Sequence, residues 1–266
     1  KTIVSNYGYY VDVSAPGQAM WTTGANGGFS TNGGTSMAAP VVSGGAALLK
    51  AQFPFYTNHQ VAALIQATAD DLNALNPTYT DQLGSGRINL FAGVAASSPQ
   101  FLALTNQLIT DNNNIIFEFG DTLQIEGFFT NYLDPISGVT VTLTSPSPYV
   151  SIIDGLTTLP SLGTLATTSN NADKFTVAIL NGAAFNEVIT FKAVITNGIF
   201  TNNEYFTITL NPDYINLSEN LVATTITSNG KIGYNDLNNS VGLGFTFNGE
   251  QILYEAGFMI GDGTRR

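Results

Sequence analysis

Small and apolar residues run almost without charge from Met37 to Leu49 and stop at Lys50. This run predicts a helix that begins near Ser36 and is packed on most of its sides, with Pro40 in its first turn, where a missing N–H costs little. Thr57 and Gln60 have the spacing of a capping box ahead of Val61-Ala62-Ala63-Leu64-Ile65, which predicts a second helix. Gly84-Ser85-Gly86-Arg87-Ile88-Asn89 leads into an alanine-rich stretch, and residues 10–13 read as a strand. From about Phe101 the helical patterns vanish and short, turn-bounded strands take over. Residues 115–119 run into a turn at Gly120-Asp121, 122–129 alternate in part, and 139–144 alternate strictly. Further runs occupy 174–180, 188–195 and 204–210. This spacing is that of an antiparallel sandwich. Asn211-Pro212-Asp213 reads as its exit.

After Ile215 a third unit begins, with a run at 221–226, a turn at Ser228-Asn229-Gly230 and a run at 242–247. Asn248-Gly249 is a strong hairpin signal between Phe245-Thr246-Phe247 and Ile252-Leu253-Tyr254. Residues 257–261 supply one more strand. About fifty residues with several apolar strands rarely close a core alone, so the parent protein is expected to continue beyond Arg266. The fold class is therefore α/β in part, followed by an all-β sandwich and a partial second β domain, divided at 1–98, 99–213 and 214–266.

Composition narrows the partners. The 266 residues carry a formal net charge of −11, which argues against nucleic acid and anionic membrane surfaces, both of which need basic patches. Charged residues are only 10 %, so Asn, Thr, Ser and Gly carry solubility. Cysteine is absent, so no disulfide exists, a habit of bacterial extracellular proteins. No apolar stretch reaches the roughly 20 residues of a membrane helix. The chain opens on Lys1 with neither initiator Met nor signal peptide, and this end is read as a product of processing or cleavage. Asn216-Leu217-Ser218 and Asn238-Asn239-Ser240 match the N-glycosylation pattern, but such matches arise by chance in an Asn-rich chain and no modification is assigned.

The chemistry centres on Gly34-Thr35-Ser36-Met37-Ala38-Ala39-Pro40. A serine just before a small-residue helix sets its Oγ and its backbone N–H at the positive end of the helix dipole. Free N–H groups there can stabilise an oxyanion, as acyl transfer requires. Gly33 and Gly34 permit a sharp turn and a close approach of a substrate backbone. The bland alternative is an ordinary N-capping residue before a buried helix. The whole heptad resembles the nucleophile motif of the subtilisin-like serine peptidases (subtilases). Ser5-Asn6-Tyr7-Gly8 and Val11-Asp12-Val13-Ser14-Ala15-Pro16-Gly17 resemble the preceding family segment, Asn58-His59-Gln60-Val61 the next helix, and the Gly84 to Asn89 stretch the closing segment. The resemblance covers about residues 1–98, the C-terminal portion of such a domain. Val41 departs from it, since many relatives have His there.

The resemblance implies Ser36 as the catalytic nucleophile and implies that the catalytic Asp, the catalytic His and the oxyanion Asn lie upstream of Lys1. No acid here replaces the Asp. Asp12 sits in a Val-Asp-Val strand pattern, Asp121-Thr122-Leu123 lacks the family's glycine, and Gly261-Asp262-Gly263-Thr264 follows the Ser and reads as a turn. His59 is the only histidine and is expected as a solvated first-turn residue of the second helix. With one His and no Cys, no His/Cys metal cluster is possible. Cofactors are not implied, but Ca²⁺ as a structural ion has candidates in Asp70-Asp71 and in Asp236 with Asn235 and Asn238, where solvated turns are the competing reading.

The expected function is that of part of a secreted or bacterial cell-surface serine endopeptidase acting on proteins or peptides through an acyl-enzyme. The expected partner is the N-terminal part of the catalytic domain or a neighbouring chain, and residues 1–266 alone are expected to be inert. The segment after Phe101 resembles the fibronectin-III/immunoglobulin-like modules of large secreted peptidases and is expected to space and stabilise. The alternative is a degenerate or fragmentary peptidase module with a structural or binding role in a cell-surface assembly.

Overall fold

A glycine turn releases the first long run as a helix, and its small residues let it propagate. The computed structural model describes residues 1, 5–111, 116–234, 241–253 and 255–257. A hairpin of β1 (Met20–Thr23) and β2 (Phe29–Asn32) precedes α1 (Thr35–Gln52). Its strands are short and rich in Thr, Ser and Gly neighbours, so they leave no apolar period in the sequence. α2 (Asn58–Ala67) starts at the expected capping box: the Gln60 amide donates to Thr57 Oγ1 at 3.3 Å and the Thr57 amide donates to Gln60 Oε1 at 2.9 Å. α3 (Leu90–Ala95) is capped by Asn89, whose Oδ1 accepts the Ala92 amide at 2.9 Å.

Two expectations for α1 are corrected. The helix begins at Thr35, so Pro40 stands in its interior rather than its first turn. The ring nitrogen cannot donate, which leaves the Ser36 carbonyl without its usual partner four residues on. Nor is α1 packed on most sides. Gly45 and Leu49 are buried, whereas Ser43, Gly44, Ala47 and Leu48 on the other side are exposed. Both stripes are equally free of charge, which is why the sequence suggested all-round burial.

Residues 10–13 do not form a strand. Ser14 makes an isolated parallel bridge to Arg87, and Asp70 an antiparallel one to the same residue. Among the described residues up to 98, that bridge is the one parallel pairing, so the parallel sheet of an α/β domain is not within them. The Gly-Ser-Gly stretch threads between two backbones, with Ser85 N donating to Asp12 O at 2.9 Å and Arg87 N to Asp70 O at 2.8 Å. Gly86 has φ +130, and a Cβ there would fall 2.0 Å from the Asp70 carbonyl oxygen. The approach admits only glycine.

The next strands are β3 (Leu102–Thr110), β4 (Thr122–Asn131), β5 (Thr140–Thr144), β6 (Val150–Asp154), β7 (Leu156–Thr158), β8 (Thr167–Ser169), β9 (Phe175–Ile179), β10 (Glu187–Thr196) and β11 (Thr201–Leu210). They form two antiparallel sheets, one ordered β3-β4-β9-β6 with β8 also on β4, the other β11-β10-β5-β7. Alternate residues of both sheets feed one core: Leu123, Ile125 and Phe129 of β4, Val177 of β9, and Ile189, Phe191, Ala193 and Ile195 of β10. The cross-strand pair Phe191 and Phe206 stacks with centroids 5.2 Å apart. The expected runs at 122–129, 139–144, 174–180, 188–195 and 204–210 are β4, β5, β9, β10 and β11. The run at 115–119 is corrected: Ile115 lies outside the described residues, and Phe117 makes only an isolated bridge to Leu210.

The last sheet comprises β12 (Tyr214–Glu219), β13 (Val222–Thr227), β14 (Lys231–Gly233), β15 (Phe245–Phe247), β16 (Glu250–Leu253) and β17 (Glu255–Gly257). Asn248 and Gly249 carry φ of 52 and 80, as a two-residue primed turn requires. The remainder of the expected strand at 257–261 lies outside the described residues. No apolar side chain described in this sheet is buried. Among the described residues, no helix is long and apolar enough to cross a membrane.

Candidate active site

Ser36 is the second residue of α1 and is exposed. The turn before it depends on Gly34, whose φ of +126 suits glycine alone, and whose amide donates to the Gly17 carbonyl at 2.7 Å. The Met37 amide is the first to close a bond back to Gly34 O, at 3.0 Å. Helix geometry leaves the Thr35 and Ser36 amides free at the positive end of the dipole. A hydroxyl and unspent N–H groups thus share one solvent-facing point, the pairing that a nucleophile with oxyanion donors needs.

The structure does not bring the other candidate residues to Ser36. His59 lies in the first turn of α2, just past the C-terminal end of α1, and the rise of α1 alone separates that end from Ser36 by about 24 Å. Its imidazole is exposed on one side and stacks on the Tyr132 ring on the other, with centroids 5.5 Å apart. His59 is thus an exposed first-turn residue as expected, and its ring also makes a contact between α2 and the segment after β4. Asp121 is buried and accepts the Glu118 amide at 2.8 Å, tying its own turn. Asp12 is exposed and lines a cleft between the first unit and β11. The calcium candidates Asn235, Asp236 and Asn238 lie outside the described residues, as does Asp262.

The Asp70 carboxylate is engaged on both oxygens, by Arg87 at 2.6 Å and by Asn89 Nδ2 at 2.7 Å. The Arg87 hydrogen bond, then that of Asn89, holds its pKa below the usual carboxylate value. Asp71 accepts the Asn73 amide at 2.8 Å. Among the described residues no group of three or more His, Cys, Asp or Glu side chains is placed to hold a metal ion.

Sequence reasoning missed a second acidic constellation, because its members lie over a hundred positions apart. A cleft of about 480 Å³ separates the first unit from the edge of β11, lined by Asp12, Asp71 and Asp81 on one side and Glu204 and Tyr205 on the other. Burial pushes the Glu204 carboxyl up to about 7, helped by the charge of Asp12 and opposed by hydrogen bonds from Asn202 and the Leu104 amide. Burial also acts to raise Asp81, but hydrogen bonds from Lys192, Tyr205 and Asn73 outweigh it and leave its pKa below normal. Burial first, then the hydrogen bond to Asp81, pushes the Tyr205 hydroxyl upward.

These shifts have opposite signs in linkage. Glu204 favours the folded state when protonated, so its contribution is present below the ordinary carboxylate range and is lost as pH rises through about 7. Asp81 contributes above the ordinary range and loses that contribution as pH falls through its lowered value. Stability is therefore expected to peak between these limits. Glu204→Gln should flatten the decline between about pH 4.5 and about 7 in thermal melts recorded from about pH 4 to about pH 8. An unchanged decline in the variant would show that Glu204 is not its source.

Residues 2–90 match the peptidase S8 family, described as the Subtilase family. The chain is 39 % identical over 89 residues to alkaline elastase YaB of Bacillus sp. (strain YaB), a stretch covering 34 % of this chain and 22 % of that protein. It is 41 % identical over 70 residues to the thermostable alkaline protease of Halalkalibacterium halodurans, covering 26 % and 19 %. It is also 32 % identical over 117 residues to the cell wall-associated protease of Bacillus subtilis (strain 168), covering 36 % and 13 %. The matched part spans about a fifth of the length of the first two relatives. Among solved structures, native alpha-2-macroglobulin from Escherichia coli aligns with 46 % of this chain and 18 % of its own at 16 % identity and a TM-score of 0.32, a likeness that carries no fold assignment.

Proposed function

We propose that residues 1–98 are the nucleophile-bearing part of a subtilisin-like serine endopeptidase, in which Ser36 forms the acyl-enzyme. The observation that carries this reading is the exposed Ser36 at the N-terminus of α1, behind a turn only Gly34 can make, within a segment matching the Subtilase family. In the reaction, Ser36 Oγ attacks the scissile carbonyl carbon while its proton passes to a histidine supplied from upstream. That proton then goes to the leaving amine as the C–N bond breaks, and water hydrolyses the ester in a second, mirrored step. The α1 amides steady the negative oxygen of each tetrahedral intermediate.

The upstream part would also supply the Asp that orients the histidine and the sheet that covers α1. The uncharged, exposed stripe through Ser43, Gly44, Ala47 and Leu48 supports this, since monomers avoid leaving large apolar patches open. We read residues 99–213 as a fibronectin-III/immunoglobulin-like sandwich and 214–266 as the start of another β domain. The negative net charge, the absence of cysteine and relatives named as extracellular and cell wall-associated proteases favour a secreted or cell-surface setting.

Refolding residues 1–266 together with a separately produced upstream segment carrying the Asp and His motifs should restore cleavage of a chromogenic peptide, while either piece alone stays inert. Hydrolysis by residues 1–266 alone would refute the division of the active site. A folded, inert reassembled pair would favour the degenerate module with a structural role.

A further inference from the structure

We propose that the β unit of residues 99–213 is a docking platform for residues 66–89 of the first unit, anchored at Asp81, so that the order of the first unit depends on the folded β unit. Asp81 adopts φ +60, a conformation that costs free energy for a residue with a side chain, though Asp tolerates it better than most. Its own unit holds it there, because the Asp81 amide donates to Asn73 Oδ1 at 2.8 Å and Asn73 Nδ2 donates to Asp81 Oδ1 at 2.9 Å. This backbone aims the carboxylate at the β unit. Lys192 Nζ of β10 donates to Oδ2 at 2.7 Å, Tyr205 OH of β11 to the same oxygen at 2.8 Å, and Asn203 Nδ2 of β11 to Oδ1 at 3.4 Å. Lys192 and Tyr205 are direct cross-strand partners, so the sheet itself sets the spacing of the two strongest donors.

Two further contacts flank the anchor. Tyr9 stacks on the Tyr205 ring with centroids 4.2 Å apart. In addition, Phe101 and Leu133 of the β unit join the buried cluster of Leu49, Val61 and Leu64 in α1 and α2. A strained residue whose carboxylate accepts four side-chain donors from two units, beside a shared apolar core, is the build of a fixed joint and not of a swivel.

The test is hydrogen exchange with mass spectrometry on residues 1–266 carrying Asp81→Asn, Lys192→Met, or both. Lys192 lies in the β sheet and, among the described residues, bonds to the first unit only through Asp81. Lys192→Met should nonetheless raise exchange across residues 66–89 by roughly tenfold, a size set by typical coupling between contacting residues. The double variant should be no worse than the worse single one, while peptides of β10 and β11 stay protected and so report a folded platform. Additive losses, or a Lys192→Met chain with unchanged exchange in residues 66–89, would overturn the proposal. If Asp81→Asn strips protection from all of residues 5–98 while β10 and β11 stay protected, the joint is needed for the first unit to fold, which the proposal also predicts. Tyr205→Phe, which removes one donor and keeps the ring stack, should give a smaller rise in the same segment, and no rise would count against the anchor.

Discussion

Replacing Ser36 with alanine in the intact protein is expected to abolish peptide-bond hydrolysis, with kcat falling on the order of 10⁶-fold. That magnitude is the one recorded for nucleophile removal in subtilisin itself. The loss follows from the chemistry of the step, because the hydroxyl both accepts the acyl group and gives up the proton that later reaches the leaving amine. The α1 amides survive the substitution, since Ala propagates a helix at least as well as Ser. Substrate binding should therefore change little, and the loss should fall on kcat. Progress curves for wild-type and variant protein check this, and a variant retaining near-normal turnover would remove Ser36 from the mechanism.

The second large effect concerns the first unit alone. Expressed by themselves, residues 1–98 are expected to lose amide protection along 36–53 by on the order of 10² to 10⁴-fold relative to the full chain. Two separate deficits act. The stripe of α1 through Gly44, Ala47 and Leu48 is already uncovered. Excision also strips Phe101 and Leu133 from the cluster around Leu49 and Leu64. Each of those two side chains contributes about 1.5–3 kcal/mol by burial, and the loss reappears as easier opening of the helix. Strong protection along 36–53 in a monomeric 1–98 sample would show that this piece folds independently of both its neighbours.

The local backbone geometry around Ser36 and at the start of α2 was legible in the sequence because it is written in adjacent residues. Gly34 ahead of Ser36 sets the turn, and the Thr57–Gln60 box sets the start of α2. Strict alternation likewise marked β5, and the turn-bounded runs at 174–180 and 188–195 marked β9 and β10. What failed depends on distance. Charge-free residues on both sides of α1 look the same whether a sheet covers them or not, so burial could not be read from them. β8 is Thr-Thr-Ser and is held by its pairing to β4, with no apolar residue to signal it. The stacking of His59 on Tyr132 and the grip of Lys192 and Tyr205 on Asp81 join positions far apart in the chain, and no local period encodes them. Pro40 shows the opposite error. Proline is favoured at helix starts, but the observed start at Thr35 places Pro40 further in.

The most direct test of the central claim is covalent. A fluorophosphonate reports a serine only where a base has made its hydroxyl nucleophilic, and peptide mapping then names the residue. In the intact protein, with its upstream part in place, the label should fall on one peptide, at Ser36. Residues 1–266 alone should remain unlabelled under the same conditions. Equal labelling of Ser36 in residues 1–266, or a label on another serine in the intact protein, would contradict the account.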